Sequence, residues 1–472
     1  MPAPIGLTVV VGGGAAGIAA ARRLHDAGSA VLLLEAGVRL GGRARTETLV
    51  LPDWGTARDP APTSTPSPPP RQRPGPRWEG PGGDVPFATV GVVDLDSGLR
   101  RGSRGGGSEG VPIAVDFGCG WLHSAARNPW TAIAERRGVP IDRSSPHWGV
   151  QWRDLGFPPD DHRAFGAAYE RFEAAAHAAL TGPDRPLSDF VAEDDPWRPM
   201  IDAISGYANG APLARVSLHD WAAYEDAATE DNWAIPSGYG RLIVDHAAGV
   251  PLRLDTAVTR IDHAGRTIRL ATSAGTIEAD RVILAIPTTA YAAIRFDPPL
   301  PAKHDAAAAL PLGLADKVYL AVDRPEWPAH AHLTGNPHSA CTASHRLSPF
   351  GLPIVESFFG GSCAEAMPDR AAAIDFATAE LVNLLGSDWR RRLAPLAATR
   401  WREAPHIHGS YSHADIGRAG ERAILAAPVD DRLFFAGEAC SISDFSTAHG
   451  AHATGIAAAE AILGLKGAAS AP

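Results

Sequence analysis

Cysteine is scarce in this chain: four among 472 residues, at Cys119, Cys341, Cys363 and Cys440, with no CxxC pair. That scatter excludes a disulfide framework and a zinc-ribbon signature, and it leads to an expectation of reduced thiols in a cytoplasmic protein. Positive charge is in deficit, with a net charge of −10. Nucleic acid is therefore excluded as a main partner, because neutralising phosphates needs grouped Lys and Arg. An acidic balance of this size is compatible with a cationic substrate. No apolar run approaches the roughly 20 residues of a membrane-spanning helix. The first strand pattern begins almost at once, without the charged and apolar regions of a secretory signal, so no membrane partner is expected. What the chain does have is length for two joined domains and 45% hydrophobic residues to fill their cores.

The densest information lies in residues 9–43. An apolar run from Thr8 to Val11 leads into Gly12-x-Gly14-Ala15-Ala16-Gly17, an alanine-rich segment reaches Ala27 with Gly28 as its cap, and a second apolar run, Ala30 to Leu34, ends on Glu35. This is a β-α-β pattern with an acid about twenty residues beyond the glycines, as dinucleotide binding requires. Gly12 permits the tight turn, Gly14 lets a pyrophosphate approach the backbone, and Gly17 lets helix and strand pack closely. The helix N-terminus then offers N–H groups and a positive dipole end to phosphate, and Glu35 can accept both hydroxyls of a ribose. The glycine motif alone does not separate NAD from FAD.

The continuation does. Glu35-Ala36-Gly37-Val38-Arg39-Leu40-Gly41-Gly42-Arg43 resembles the ExxxRxGGR signature of the FAD-dependent amine oxidase superfamily. Gly41 and Gly42 allow backbone to close on a pyrophosphate, and Arg43 carries a forked cation. Further segments resemble the family in the same order along the chain. These are Asn232-Trp233 through Arg241, Leu252 to Ile261 around Val258, Arg281 to Pro287, and Phe296 to Pro301. Near the C-terminus, Phe435-Ala-Gly437-Glu438 followed by Ser446-Thr447-Ala448-His-Gly-Ala451 completes the set.

The resemblance implies an α/β, two-domain amine oxidase fold. A Rossmann-like FAD-binding domain would be built from residues 1–50, 111–125, 236–298 and 401–465, and an interleaved α+β substrate domain from 126–235 and 299–400. Residues 51–110, rich in Pro and Gly, break the pattern and are expected to be a disordered insertion, with 466–472 as a tail. The spacing of apolar residues predicts helices beginning at Pro129 and over 162–180, 197–208, 371–385 and 450–463, and strands across 250–286, 317–322 and 433–436.

The resemblance also implies site residues. Lys317 matches the family lysine that holds a water near flavin N5; by position alone it would be a lysine at a strand start. Trp401 and Tyr411 occupy the positions of aromatic residues that flank a bound amine, although either also fits plain packing. Ser410 stands where monoamine oxidases carry the cysteine that bonds FAD, which implies non-covalent FAD. Thr447 replaces a monoamine-oxidase tyrosine, and Gly120-Trp121-Leu122-His123 with Asn128-Pro129 resembles polyamine oxidases, which place a histidine in the substrate tunnel. Val258, Pro287, Gly437, Glu438, Thr447, Ala448 and Ala451 join the N-terminal motif, Gly120, Trp121 and Trp401 as implied cofactor contacts. Glu225-Asp226 and Glu230-Asp231 read either as a solvated loop or as carboxylates for a cation. No metal site is expected. The implied function is an FAD-dependent amine oxidase acting on a polyamine-like amine with O2 as acceptor. The alternatives are another flavin oxidoreductase of this fold, such as an amino-acid oxidase, a desaturase or a protoporphyrinogen oxidase, or an amine dehydrogenase. Oligomeric state is not legible.

Overall fold

The computed structural model of the protein describes residues 6–54 and 110–469. Most of the 51–110 segment and part of the tail lie outside the described residues. The chain opens with β1 (Thr8–Val11), α1 (Ala15–Asp26), β2 (Val31–Leu34), β3 (Thr46–Val50) and β4 (Pro112–Asp116). A helical stretch follows, with α2 (Pro129–Arg136), α3 (Pro159–Ala178), α4 (Arg198–Asn209), α5 (Leu218–Glu225) and α6 (Tyr239–Asp245). Then come β5 (Leu252–Arg253), β6 (Val258–Asp262), β7 (Ile268–Thr272), β8 (Gly275–Ala279), β9 (Arg281–Leu284), β10 (Arg295–Asp297) and α7 (Pro301–Ala308). The last third contains β11 (Ala315–Val322), β12 (Ala331–Thr334), β13 (Ser344–Leu347), β14 (Ile354–Gly360), α8 (Ser362–Ala366), α9 (Arg370–Leu385), β15 (Leu393–Ala398), α10 (Glu421–Ala426), β16 (Leu433–Phe435) and α11 (Ala448–Ala469).

Five strands widely separated in sequence form one parallel sheet, in the order β16-β9-β1-β2-β5. Its centre reads as short, nearly unbroken apolar runs because both faces are covered: Thr8 to Val11 and Val282 to Leu284 are all buried. α1 lies against α11, two alanine-rich helices whose small side chains let their backbones approach. Gly455 sets that distance: a Cβ there would lie 2.2 Å from the Ala16 carbonyl oxygen, while a Cβ on Gly17 would lie 1.8 Å from the Gly12 carbonyl oxygen and push α1 off the turn after β1. Both obstacles are backbone, so neither can swing aside. Gly455→Ala is expected to cost about 1–3 kcal/mol through forced separation of the helices. Urea denaturation measures it, and an unchanged midpoint would contradict the packing argument.

An antiparallel sheet, β12-β13-β14-β11-β15, forms the second main layer. All eight residues of β11 are buried, Asp316 and Lys317 included. α9 covers this sheet through Ala373, Ile374, Ala377 and Leu381. A smaller sheet, β10-β6-β7-β8, flanks the parallel one, and β3 pairs antiparallel with β4. α2 starts where the sequence places it: Asn128 accepts a hydrogen bond from the Trp130 N–H, with Pro129 at the first helical position.

One expectation fails. Cys341 and Cys363 form a disulfide, so reduced thiols hold only for Cys119 and Cys440. Cys341 precedes β13 and Cys363 lies in α8 just after β14. Antiparallel pairing of those strands, Ser344 opposite Phe358, returns the chain to the same end of the sheet and leaves the two Cα atoms 4.5 Å apart. Strand pairing, not cysteine spacing, decides this bond. Among the described residues no helix is long and apolar enough to cross a membrane, and no group of His, Cys, Asp and Glu could hold a metal.

Candidate functional site

The glycine turn after β1 meets the second glycine pair directly. The Gly41 N–H donates to the Gly13 carbonyl at 2.8 Å, and a Cβ on Gly42 would touch Gly14 Cα at 3.4 Å. Gly12 (φ +105°), Gly41 (φ +108°) and Gly42 (φ +55°) all adopt the left-handed region that side chains avoid. At Gly14 the nearest atom to an added Cβ is 4.0 Å away, so space remains above the turn. α1 begins there with no side-chain cap and no acid in its first turn. The helix's own first turn therefore supplies no counter-charge to its positive end, which suits a pyrophosphate. Glu35, at the end of β2, accepts from the Gly13 and Gly37 N–H groups at 2.7 and 2.8 Å. The Glu35 carbonyl accepts from the Thr256 N–H, which brings Ala36 and the start of β6 at Val258 to the same edge. These residues fit an adenine dinucleotide.

A second cluster lies where α11 begins. Arg43 Nη1 donates to Glu438 Oε1 and to the Ser410 carbonyl, both at 2.8 Å. The other Glu438 oxygen accepts from Ser412 Oγ and the Ser446 N–H. Burial opposes ionisation of Glu438, but Arg43 and Arg422 outweigh it and hold the carboxyl below its ordinary range. Arg422 is itself 1% exposed and grips Asp220 with two bonds, at 2.6 and 2.8 Å. Thr447 caps α11: its hydroxyl accepts from the Gly450 N–H at 2.9 Å and donates to the Asp444 carbonyl. The Ala451 N–H donates to the Thr447 carbonyl, and the Gly437 N–H donates to Thr454 Oγ1. Pro287 follows β9 on the neighbouring strand of the sheet.

Lys317 projects from β11 into a third cluster. Its ammonium pairs with Glu356 Oε1 at 2.8 Å and donates to the Asp116 carbonyl at 2.9 Å. A Cβ on Gly120 would lie 3.2 Å from Lys317 Nζ, so the glycine is what lets the segment carrying Trp121 pass over the lysine. Glu356 is held below the usual carboxylate range: burial works against this, and Lys317 and Arg346 overcome it. Arg346 covers the Trp121 ring at 4.4 Å. A cavity of about 30 Å³ opens beside Gly120, Trp121, Lys317 and Glu356, roughly the space of one water. Behind it, Asp316 accepts from Thr399 Oγ1 and the Trp401 N–H, and Thr399 Oγ1 accepts from the Lys317 N–H. Lys317 and Trp401 are thus held by one buried network.

Trp401 Nε1 donates to the Phe117 carbonyl at 3.3 Å, and the Tyr411 hydroxyl donates to the Tyr207 carbonyl. Ser410 Oγ is committed to Ala315, donating to its carbonyl and accepting from its N–H. His123 bonds Asn232 through Nδ1 at 2.6 Å, and its pKa falls to about 4. Burial is the main cause, with the positive fields of His449 and Lys317 adding to it.

The structure therefore gathers Gly120, Trp121, Lys317 and Trp401 about one buried network, and Arg43 with Glu438 about another. The acidic run at 225–231 divides. Asp231 ties down the Ala126 N–H and Thr229, and Glu225 has its carboxyl raised by burial and by Glu173. Sequence reading missed Glu356, Asp116, Arg346 and the Asp220–Arg422 pair. Only Glu356 left a local signal, as a lone carboxylate within the apolar run Ile354 to Phe359.

A parallel sheet with a glycine-turn dinucleotide cradle, packed beside an antiparallel sheet that presents a buried lysine, defines a two-domain nucleotide-dependent oxidoreductase. The sequence profile described as Flavin containing amine oxidoreductase matches residues 166–463, and that of an NAD(P)-binding Rossmann-like domain matches 10–71. The chain belongs to the flavin-containing amine oxidoreductase family, and it is an FAD-dependent enzyme acting on amines. It is 27% identical to Polyamine oxidase 2 of Arabidopsis thaliana over 96% of this chain and 87% of that protein. It is 29% identical to Lysine-specific histone demethylase 1 homolog 1 of Oryza sativa subsp. japonica over 95% of this chain, spanning 51% of that longer protein. A solved structure of a putrescine oxidase triple mutant superposes with a TM-score of 0.70 at 17% identity, covering 98% of this chain and 99% of that one, which supports the fold.

Proposed function

We propose that this enzyme oxidises a C–N bond of a polyamine-like primary or secondary amine to an imine, which water hydrolyses to an aldehyde and a shorter amine, while O2 is reduced to H2O2. Bound FAD supplies the two-electron acceptor between amine and oxygen. The chain's own residues bind, orient and stabilise. Gly12 to Gly17, Glu35, Gly41 to Arg43 and Glu438 would hold the cofactor. Lys317 would place a fixed positive charge where negative charge gathers. Trp401 and Tyr411 would orient the amine and exclude water. Thr447, engaged in capping α11, offers no second aromatic face, which disfavours a small aromatic monoamine.

The carrying observation is Lys317, buried, ion-paired and directly beneath the Gly120–Trp121 segment. The test is an amine panel with peroxide as readout: spermine, spermidine, N-acetylated polyamines, putrescine, aromatic monoamines and a methyl-lysine peptide. Peroxide with the polyamines supports the reading. Turnover confined to the methyl-lysine peptide or to monoamines would replace it, and dye reduction without peroxide would replace oxygen as acceptor.

A second expectation concerns attachment. Ser410 cannot form a thioether, and its hydroxyl is already bonded to Ala315. Denaturation followed by ultrafiltration should release all yellow colour into the filtrate. Flavin retained with the polypeptide would refute non-covalent binding.

A further inference from the structure

Away from the cofactor cradle, α1, α2, α11 and the residue after α6 border a second cavity, of about 260 Å³. Arg22 and Asp26 reach it from the C-terminal half of α1, Arg136 from the end of α2, His246 from just beyond α6, and His452 from α11. Gly14 stands at the opposite end of α1, on the order of 15 Å away by the rise of a helix. Ile133 and Ile456 give the cavity an apolar wall. Its volume far exceeds that of one water and approaches the roughly 300 Å³ at which small-molecule pockets begin.

The polar groups around it are donors in excess. Arg22 is already engaged: it pairs with Asp26 and donates to the Ala248 carbonyl at 2.7 Å. Arg136 is exposed and has no ion-pair partner among the described residues. Cations near helix C-termini offset the dipole, which accounts for the placement of Arg22 and Arg136. It does not account for the two histidines. His452 is only 9% exposed, and its ring nitrogens have no hydrogen-bond partner among the described residues, yet they are not sealed from the cavity. His246 Nδ1 faces Arg137 Nη2 at 3.3 Å. A guanidinium only donates, so neutral His246 carries its proton on Nε2. Both rings stand edge-on to Trp130, with centres 5.4 and 5.0 Å from its own, which fixes their planes. Both pKa values fall to about 4, through burial first. Arg137, Arg22 and Arg136 add to this at His246 against Asp26, and His246, Arg136 and His449 add to it at His452. The cavity therefore carries a positive field, and the one carboxylate on its wall is committed to Arg22.

We infer that this cavity binds a small organic phosphate monoester, with its head on Arg136, His246 and His452 and its apolar body against Ile133 and Ile456. Three donors from three separate elements match the three free oxygens of a phosphate monoester, where a carboxylate offers two. The site shares no residue with the Lys317 cluster or with the glycine turns, so it goes beyond the amine reading and does not depend on it.

The experiment is calorimetric titration of the FAD-loaded enzyme with phenyl phosphate, so that the cofactor keeps its own phosphate cradle filled. A single saturable site is expected. Inorganic phosphate should bind more weakly, and phenol should not bind. Arg136→Glu should weaken phenyl phosphate binding about 10- to 100-fold and His452→Leu about tenfold, the worth of hydrogen bonds to a charged group. Arg390→Glu reverses a charge on an exposed residue just after α9 and should leave the affinity unchanged. Absence of saturable binding, equal binding of inorganic phosphate, or native affinity in Arg136→Glu would overturn the inference. So would an equal loss in Arg390→Glu, which would reduce the effect to net charge. If His452→Leu fails to fold, the exposed Arg136→Glu variant decides against that control.

Discussion

Arg422→Ala is expected to lower the free energy of unfolding by about 3–5 kcal/mol, the cost of breaking a buried pair by deleting one partner. Arg422 and Asp220 are 1% and 2% exposed, and the guanidinium also donates to Ser412 Oγ and to the carbonyls of Ser412 and Ala439. Without it, the Asp220 carboxylate keeps, among the described residues, the Ala414 N–H as its hydrogen-bond donor, and the Phe445 ring loses the cation stacked 3.6 Å from its centre. The pair joins α5 to α10, and Ser412 passes from Arg422 to Glu438, so the loss reaches the Arg43–Glu438 cluster as well. Urea denaturation followed by tryptophan fluorescence measures the change. The double variant Arg422→Met/Asp220→Leu should be milder than Arg422→Ala, since no charge is left stranded. A single variant within about 1 kcal/mol of the native protein would show that the pair carries little.

Lys317→Met should reduce amine turnover by about 10²- to 10³-fold, the usual consequence of removing a preorganised charge from a water-poor site. The same change strands Glu356, which Lys317 and Arg346 hold ionised against burial. A depressed carboxyl contributes stability that is present above its ordinary range and is lost as pH falls through its folded value. Lys317→Met should therefore be less stable at neutral pH and lose part of that deficit in acid, where Glu356 can take up a proton. Lys317→Met/Glu356→Gln should recover stability without recovering turnover. Recovery of both, or native turnover in Lys317→Met, would show that the lysine acts only as a structural counter-ion.

Features written within a few residues show in the sequence, and those that depend on distant partners do not. The turn at Gly12 to Gly17, the acid at Glu35, the cap at Asn128 and the helices near 162–180 and 371–385 were legible because turn geometry, capping and amphipathic period are written within a few residues. The pairing of Cys341 with Cys363 was not legible: it follows from the return of β14 along β13. Glu356 announced itself only as a carboxylate in an apolar strand. Its partner, Lys317, stands on β11, next to β14 in the sheet but 39 residues away in the chain. Asp116, Asp220 and Arg422 look like ordinary surface charges when read in line.

By itself, the sequence determined the dinucleotide cradle, since a glycine turn, a helix start and an acid at a strand end are local conformational demands that few other residues can meet. Tertiary structure alone decided which charges are buried together. Ion pairs depend on distances of about 3 Å between groups that the chain brings together only after its sheets have formed.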